Sequence, residues 1–120
     1  MSYRDRYLRG WRVLADVLRN NEDLPLPYQG RSTPITLHYL SGSDPAARMI
    51  ADAQKIPADF TSRIDTDPEN ARHAYLYLTA SLHGLTVELA AYARDTCKRD
   101  EDDEWYIPSS ITDIAPEAEA

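Results

Sequence analysis

Between Ser2 and Arg19 the apolar residues Tyr7, Leu8, Trp11, Leu14, Ala15 and Leu18 recur at the 3.6-residue period of an amphipathic α-helix. No other stretch constrains the fold as firmly, because a striped helix of this kind is expected to lie its apolar face on a sheet or on another helix. Asp5 with Arg9, and Arg12 with Asp16, stand four residues apart and can pair across one turn; Asn20 and Asn21 offer a stop, and Gly10 is the one weak interior position. No apolar run approaches the roughly 18 to 20 residues a membrane span needs. Met1 to Leu8 is polar and charged, without the apolar stretch of a secretory signal, so the expected location is the cytoplasm. The single cysteine, Cys97, fits a reducing compartment.

After the helix, Leu24 to Tyr28 is extended by its prolines and Gln29 to Thr33 has the composition of a polar turn. Pro34 to Leu40 alternates Ile35, Leu37 and Tyr39 with Thr36, His38 and Leu40, the period-two pattern of a strand. Ser41 to Pro45 is a turn feeding a second helix, with Asp44 as cap and Pro45 in the first helical position. Ala46, Met49, Ile50, Ala53 and Ile56 form its stripe, and Pro57 ends it. Ala58 to Asn70 is polar and predicts a loop, with at most a short extended piece near Ile64.

Residues 71–94 support two readings. Asp67-Pro68-Glu69 and the helix formers of Glu88 to Arg94 suit a helix, whereas Ala74, Leu76, Leu78, then His83-Gly84, then Leu85, Val87, Leu89 suit a β-hairpin.

A family resemblance bears on that choice. The first helix followed by Asp23 to Pro27, the strand after it, Leu82 to Leu89, Cys97-Lys98-Arg99 and Asp103-Glu104-Trp105 together resemble a recurrent set of small uncharacterised proteins from actinobacteria and their phages and mobile elements. The resemblance spans most of residues 7–107 and implies the order helix, strand, helix, strand, strand, which favours the hairpin. It brings a setting and no activity. The stretch between Cys97 and Trp105 is seven residues and almost wholly charged, where the relatives often carry a longer one.

Charge is divided along the chain. Residues 1–97 hold 11 Lys and Arg against 12 Asp and Glu, whereas residues 98–120 hold 2 against 8. The expectation is one α+β domain over 1–97 and an acidic, partly disordered segment over 98–120. A near-neutral body with an acidic tail argues against phosphate-driven nucleic-acid binding, which depends on Lys and Arg neutralising phosphates.

Candidate chemistry is sparse. Cys97 has Lys98 and Arg99 beside it, but a nucleophilic thiol also needs an oriented base. His38, His73 and His83 with Cys97 lack the short spacings of zinc sites, and Asp100 to Glu104 lack the glycine of a calcium loop. The sequence thus predicts no cofactor, no metal and no enzymatic activity. Two surfaces remain. Trp105, Tyr106 and Ile107 beside Asp102, Asp103 and Glu104 form a candidate partner-binding motif, in which rings anchor and charges steer; the alternative is a final strand packed on the sheet. Arg4, Arg9 and Arg12, with Tyr3, Tyr7 and Trp11 interleaved, are the candidate nucleic-acid contacts.

The expected fold is an antiparallel sheet of three to four strands with two helices on one face, in the order α-β-α-β-β with room for a C-terminal strand. Its expected core is Trp11, Leu14, Leu18, Leu37, Ile50, Leu76, Leu78 and Val87. The expected function is that of a non-enzymatic phage or mobile-element accessory protein that binds a host protein and impairs host growth. The alternative is a nucleic-acid-associated or DNA-mimicking regulator. An unpaired edge strand would also permit a homodimer.

Overall fold

The computed structural model describes residues 2–26 and 34–118, leaving aside the side chains of Ala71 and Arg72. The turn expected over Gln29 to Thr33 and the last two residues of the acidic end lie outside the described residues.

Helix α1, Tyr3–Asn20, begins at a reciprocal cap: Ser2 Oγ accepts from the Asp5 amide at 3.1 Å and donates to Asp5 Oδ2 at 2.7 Å. It ends where the Asn21 side-chain amide donates to the Val17 carbonyl. Strand β1, Ile35–His38, leads through Tyr39 to helix α2, Pro45–Lys55. There Asp44 takes the left-handed conformation, φ 45°, and accepts from the Ala47 amide at 3.2 Å, while Pro45 occupies the first turn.

Three strands then follow as a meander: β2, Thr61–Asp67; β3, Asn70–Leu82; and β4, Leu85–Tyr92. Residues 71–94 are therefore a hairpin with a short helical turn at its end. The hairpin turn is His83-Gly84, with φ of 47° and 88°, the two left-handed residues that match the right-handed twist of the flanking strands. Asp67 tightens the preceding turn by accepting from the Glu69 amide at 2.9 Å.

The sheet order is β1-β4-β3-β2. β2, β3 and β4 pair antiparallel, but β1 lies parallel to β4, Ile35 opposite Val87 and Leu37 opposite Leu89, so the expected antiparallel sheet is corrected to a mixed one. Alternation of side chains is the same in both pairings, so it could not carry that distinction. The loop expected over Ala58 to Asn70 is corrected as well, since it contains β2. Only Ser62 is buried along that edge strand, with Ile64 half-buried, so its hydrophobic period is faint.

One face of the sheet carries the core. Ala74, Leu76, Leu78 and Ala80 from β3 point the same way as Val87, Leu89 and Ala91 from β4, with Leu76 and Leu89 fully inaccessible. Helix α2 lays Met49 and Ala53 on them. The second covering element is the chain beyond Cys97. After the turn α3, Ala93–Thr96, come the small ribbon β5, Lys98–Arg99, with β6, Trp105–Tyr106, and the turn α4, Ser109–Thr112. Ile107, Ile111 and Ala115, all past the boundary expected at Cys97, are buried in the same core. The chain then straps onto the β2 edge: the Ser62 amide donates to the Pro116 carbonyl, the Ala118 amide to the Ser62 carbonyl, and Ser62 Oγ to the Ala115 carbonyl at 2.7 Å.

Helix α1 is not part of this packing. None of its side chains is buried, and it makes no substantial contact with another element. The expectation of two helices on one face, with Trp11 and Leu14 in the core, is therefore corrected: both are 43% exposed, and Leu18 is half-buried. Leu37, on the edge strand β1, is also exposed, whereas Leu76, Leu78 and Val87 are buried as expected and Ile50 is partly buried against the core cluster. The expected element order is extended by β2 before the hairpin and by α3, β5, β6 and α4 after it.

Candidate docking helix

An 18-residue helix in water is marginal by itself, since forming the first turn fixes several residues for one hydrogen bond. What α1 holds locally is its cap and an exposed pair between Arg19 and Asp16 at 3.3 Å, which together supply little. The rest of its stabilisation has to come from its apolar face. Tyr3, Tyr7, Trp11, Leu14, Val17 and Leu18 fall on one half of the helix, and the first three rings run along it in contact, Tyr3 tilted against Tyr7 and Tyr7 edge to face with Trp11, with centroids 6.1 and 6.2 Å apart. Gly10 lies within this half. A side chain there would meet nothing within 4 Å, and the shallow groove over it is lined by Arg6, Arg9, Val13, Leu14 and Val17.

The charges around the stripe have a definite arrangement. At 3.6 residues per turn Arg4 and Arg6 flank Tyr7 on either side, whereas Arg9 and Arg12 lie with both acids of the helix, Asp5 and Asp16, on the far side, and Asp16 pairs with Arg19. Ser2 to Asn20 carries five arginines against two aspartates, so the helix is +3 while the remaining residues sum to −10. Arg4, Arg9 and Arg12 are all exposed, as nucleic-acid contacts would require, but Arg9 and Arg12 share their side of the helix with those two aspartates. An apolar face flanked by the guanidinium groups of Arg4 and Arg6 suits a counter-surface that is apolar in the middle and acidic at its rim.

The aromatic-acidic segment is arranged differently. Ile107 is buried and so is closed to any partner, and Trp105 is half-buried under the Arg99 guanidinium, 4.6 Å from its ring centroid. Tyr106 is exposed. Asp102, Asp103 and Glu104 are exposed, but the run is folded on itself: Asp103, in a left-handed conformation, accepts from Arg99 at 2.8 Å, and Asp100 accepts from the amides of Asp102 and Glu104. Of the six residues expected to bind a partner, the structure leaves Tyr106 and the three acids on the surface.

The remaining candidates have local explanations. Cys97 is buried beside Thr96, and burial pushes its thiol above the ordinary range, the direction opposite to that of a thiolate nucleophile. Among the described residues no three His, Cys, Asp or Glu side chains gather as metal ligands. No helix of the described residues is long and apolar enough to cross a membrane. The sheet face away from the core holds Tyr75, Tyr77 and Tyr92 in contact, with Arg63 over Tyr77 and Arg94 over Tyr92. Arg63 also pairs with Asp65 and, at 3.3 Å, with the buried Glu88.

No protein-family model, curated protein or solved structure matches this chain. The reading of its site therefore rests on geometry. Sequence periodicity located the stripe of α1 but assigned it to the core. The signal that could have separated α1 from α2 is its composition: a helix of five arginines with a stripe rich in tyrosine and tryptophan is a surface composition, and Met49 and Ala53 facing a sheet is a core one.

Proposed function

We propose that this protein acts by binding and not by catalysis, as an accessory protein of a phage or mobile element that docks helix α1 on a host protein. The single observation that supports it is that α1 is capped and amphipathic yet buries none of its side chains. The counter-surface it suits is an apolar groove rimmed by carboxylates, because the stripe of Tyr7, Trp11 and Leu14 is flanked by Arg4 and Arg6. Helix-in-groove recognition uses anchors spaced at i, i+3, i+4 and i+7, and Tyr7, Trp11, Leu14 and Leu18 have that spacing. The phage and host setting comes from the family resemblance alone.

The test is a photoreactive amino acid at Leu14, irradiated in an actinobacterial extract. The expected result is one adduct with a host protein that disappears when Trp11→Glu is added and weakens with Arg4→Glu, Arg6→Glu. Adducts indifferent to both changes, or none at all, would overturn the reading. An adduct with nucleic acid, lost as salt is raised, would replace it with the nucleic-acid reading.

A further inference from the structure

The groove that α1 calls for exists on this chain. Between the end of α2, the start of β2 and the end of α4 there is an opening of about 500 Å³ whose walls include Ile56, Phe60, Ile114 and Pro116, and whose rim carries Asp59 and Asp113. Phe60 is buried and forms its floor; Ile56 and Ile114 are half-buried, and both aspartates are exposed. The opening has room for one or two large side chains. It combines the two properties the border of α1 selects, an apolar middle and an acidic edge.

We propose that α1 of one copy docks in this groove of a second copy, Tyr7 and Trp11 entering between Ile56 and Ile114 while Arg4 and Arg6, on either side of Tyr7, meet Asp59 and Asp113. The inference rests on the reading of α1 as a protein-docking helix and names its standing partner. The charges favour this pairing over α1 against α1: in a helix pair the only charges beside the seam are arginines on both sides, whereas a +3 helix on a −10 body is attractive. Within one copy the groove is not taken by α1, none of whose side chains is buried and which makes no substantial contact with another element. Two such junctions, each donating a helix and receiving one, close a two-fold dimer without leaving a free groove. Because a host protein would need the same face of α1, dimer formation and host docking exclude each other.

Sedimentation of purified chain over a wide concentration range tests this with two variants. Arg4→Glu, Arg6→Glu keeps the helix intact, since carboxylates are favourable near its N-terminus. Asp59→Lys, Asp113→Lys changes two exposed rim positions. Wild type is expected to dimerise as concentration rises, and each variant alone to dimerise at least about tenfold more weakly, since like charges then face each other at both junctions. Mixed in equal amounts, the two variants are expected to pair at close to the wild-type affinity, because every junction in the mixed dimer again joins opposite charges. A wild type that stays monomeric at all concentrations, a dimer indifferent to the changes, or variants that fail to rescue each other would overturn the proposal. If a monomeric chain still gives the host adduct from position 14, the dimer alone fails and the docking reading stands; if no adduct of any kind forms, both fail.

Discussion

Helices α1 and α2 have equally clear apolar stripes, yet one is buried and the other is not. In α2, Met49 and Ala53 lie on Leu76, Leu78 and Leu89, and Tyr39 Oη donates to Asp52 Oδ2 at 2.7 Å, tying the outer side of the helix to the sheet edge. In α1 the corresponding stripe holds three large rings and is flanked by Arg4 and Arg6, and it touches none of the strands appreciably. The core face of the sheet is covered by other elements: α2 lies on one part, and Ile107, Ile111 and Ala115 join the core beside it. Amphipathic period therefore establishes that a face needs covering. Which molecule covers it is decided by what else competes for the same sheet.

The sharpest way to break this contrast is to remove one large side chain from each side of it. Ile111→Ala, in the element that took the place expected for α1, should cost about 3 kcal/mol of stability, because that side chain is only 2% exposed and leaves a cavity. Leu14→Ala, measured by the same denaturant titration at low protein concentration, should change the unfolding of the body by less than about 0.5 kcal/mol. Equal losses from the two would mean that α1 packs on the body.

A smaller effect concerns the left-handed turn that fixes the hairpin register. Gly84→Ala places a side chain at φ 88° and should cost about 1 kcal/mol or more, visible as a lower thermal midpoint without any change in α1.

The tie between Tyr39 and α2 gives a pH dependence of known sign. Burial and then the hydrogen bond to Asp52 push the Tyr39 hydroxyl well above its ordinary value, and the same bond holds the Asp52 carboxyl below its own. A raised tyrosine contributes stability that is complete below pH of about 10 and is lost as pH rises further; a lowered carboxylate contributes above pH of about 4 and is lost as pH falls. Tyr39→Phe should lower stability by about 1 kcal/mol at neutral pH and flatten the alkaline limb of the stability curve. An unchanged alkaline limb would show that the bond to Asp52 is not made.

The smallest effect isolates α1. Ser2→Ala removes its cap, worth about 1 kcal/mol to the helix, and should reduce helical circular dichroism while the midpoint of the body stays fixed.

Much of the fold was legible. The hairpin follows from alternation around His83-Gly84, and the start of α2 from Asp44-Pro45, because local chemistry alone specifies both. β2 was not, since Thr61 to Asp67 buries only Ser62 and so shows almost no period. The parallel β1 was not, since pairing direction leaves no mark on a four-residue strand. The packing of 107–115 was hidden by its neighbours: Asp100 to Glu104 fold into a turn around Asp100 and Arg99, and that charged run masks the spaced apolar residues Ile107, Ile111 and Ala115 behind it. For the site, periodicity found the residues of α1, and only the covering of the sheet by other elements revealed that they face outward. The groove of Ile56, Phe60 and Ile114 joins residues more than fifty positions apart, which no local pattern announces.

Hydrogen exchange at residue resolution, run at the lowest workable protein concentration and again at high concentration, addresses the α1 face most directly. Amides of α1 are expected to exchange quickly in the dilute protein while those of β3 and β4 are slow, and only the α1 amides are expected to slow as concentration rises. Amides of α1 as protected as β3 in the dilute protein would show that the helix is packed within one copy, contradicting its role as a docking helix.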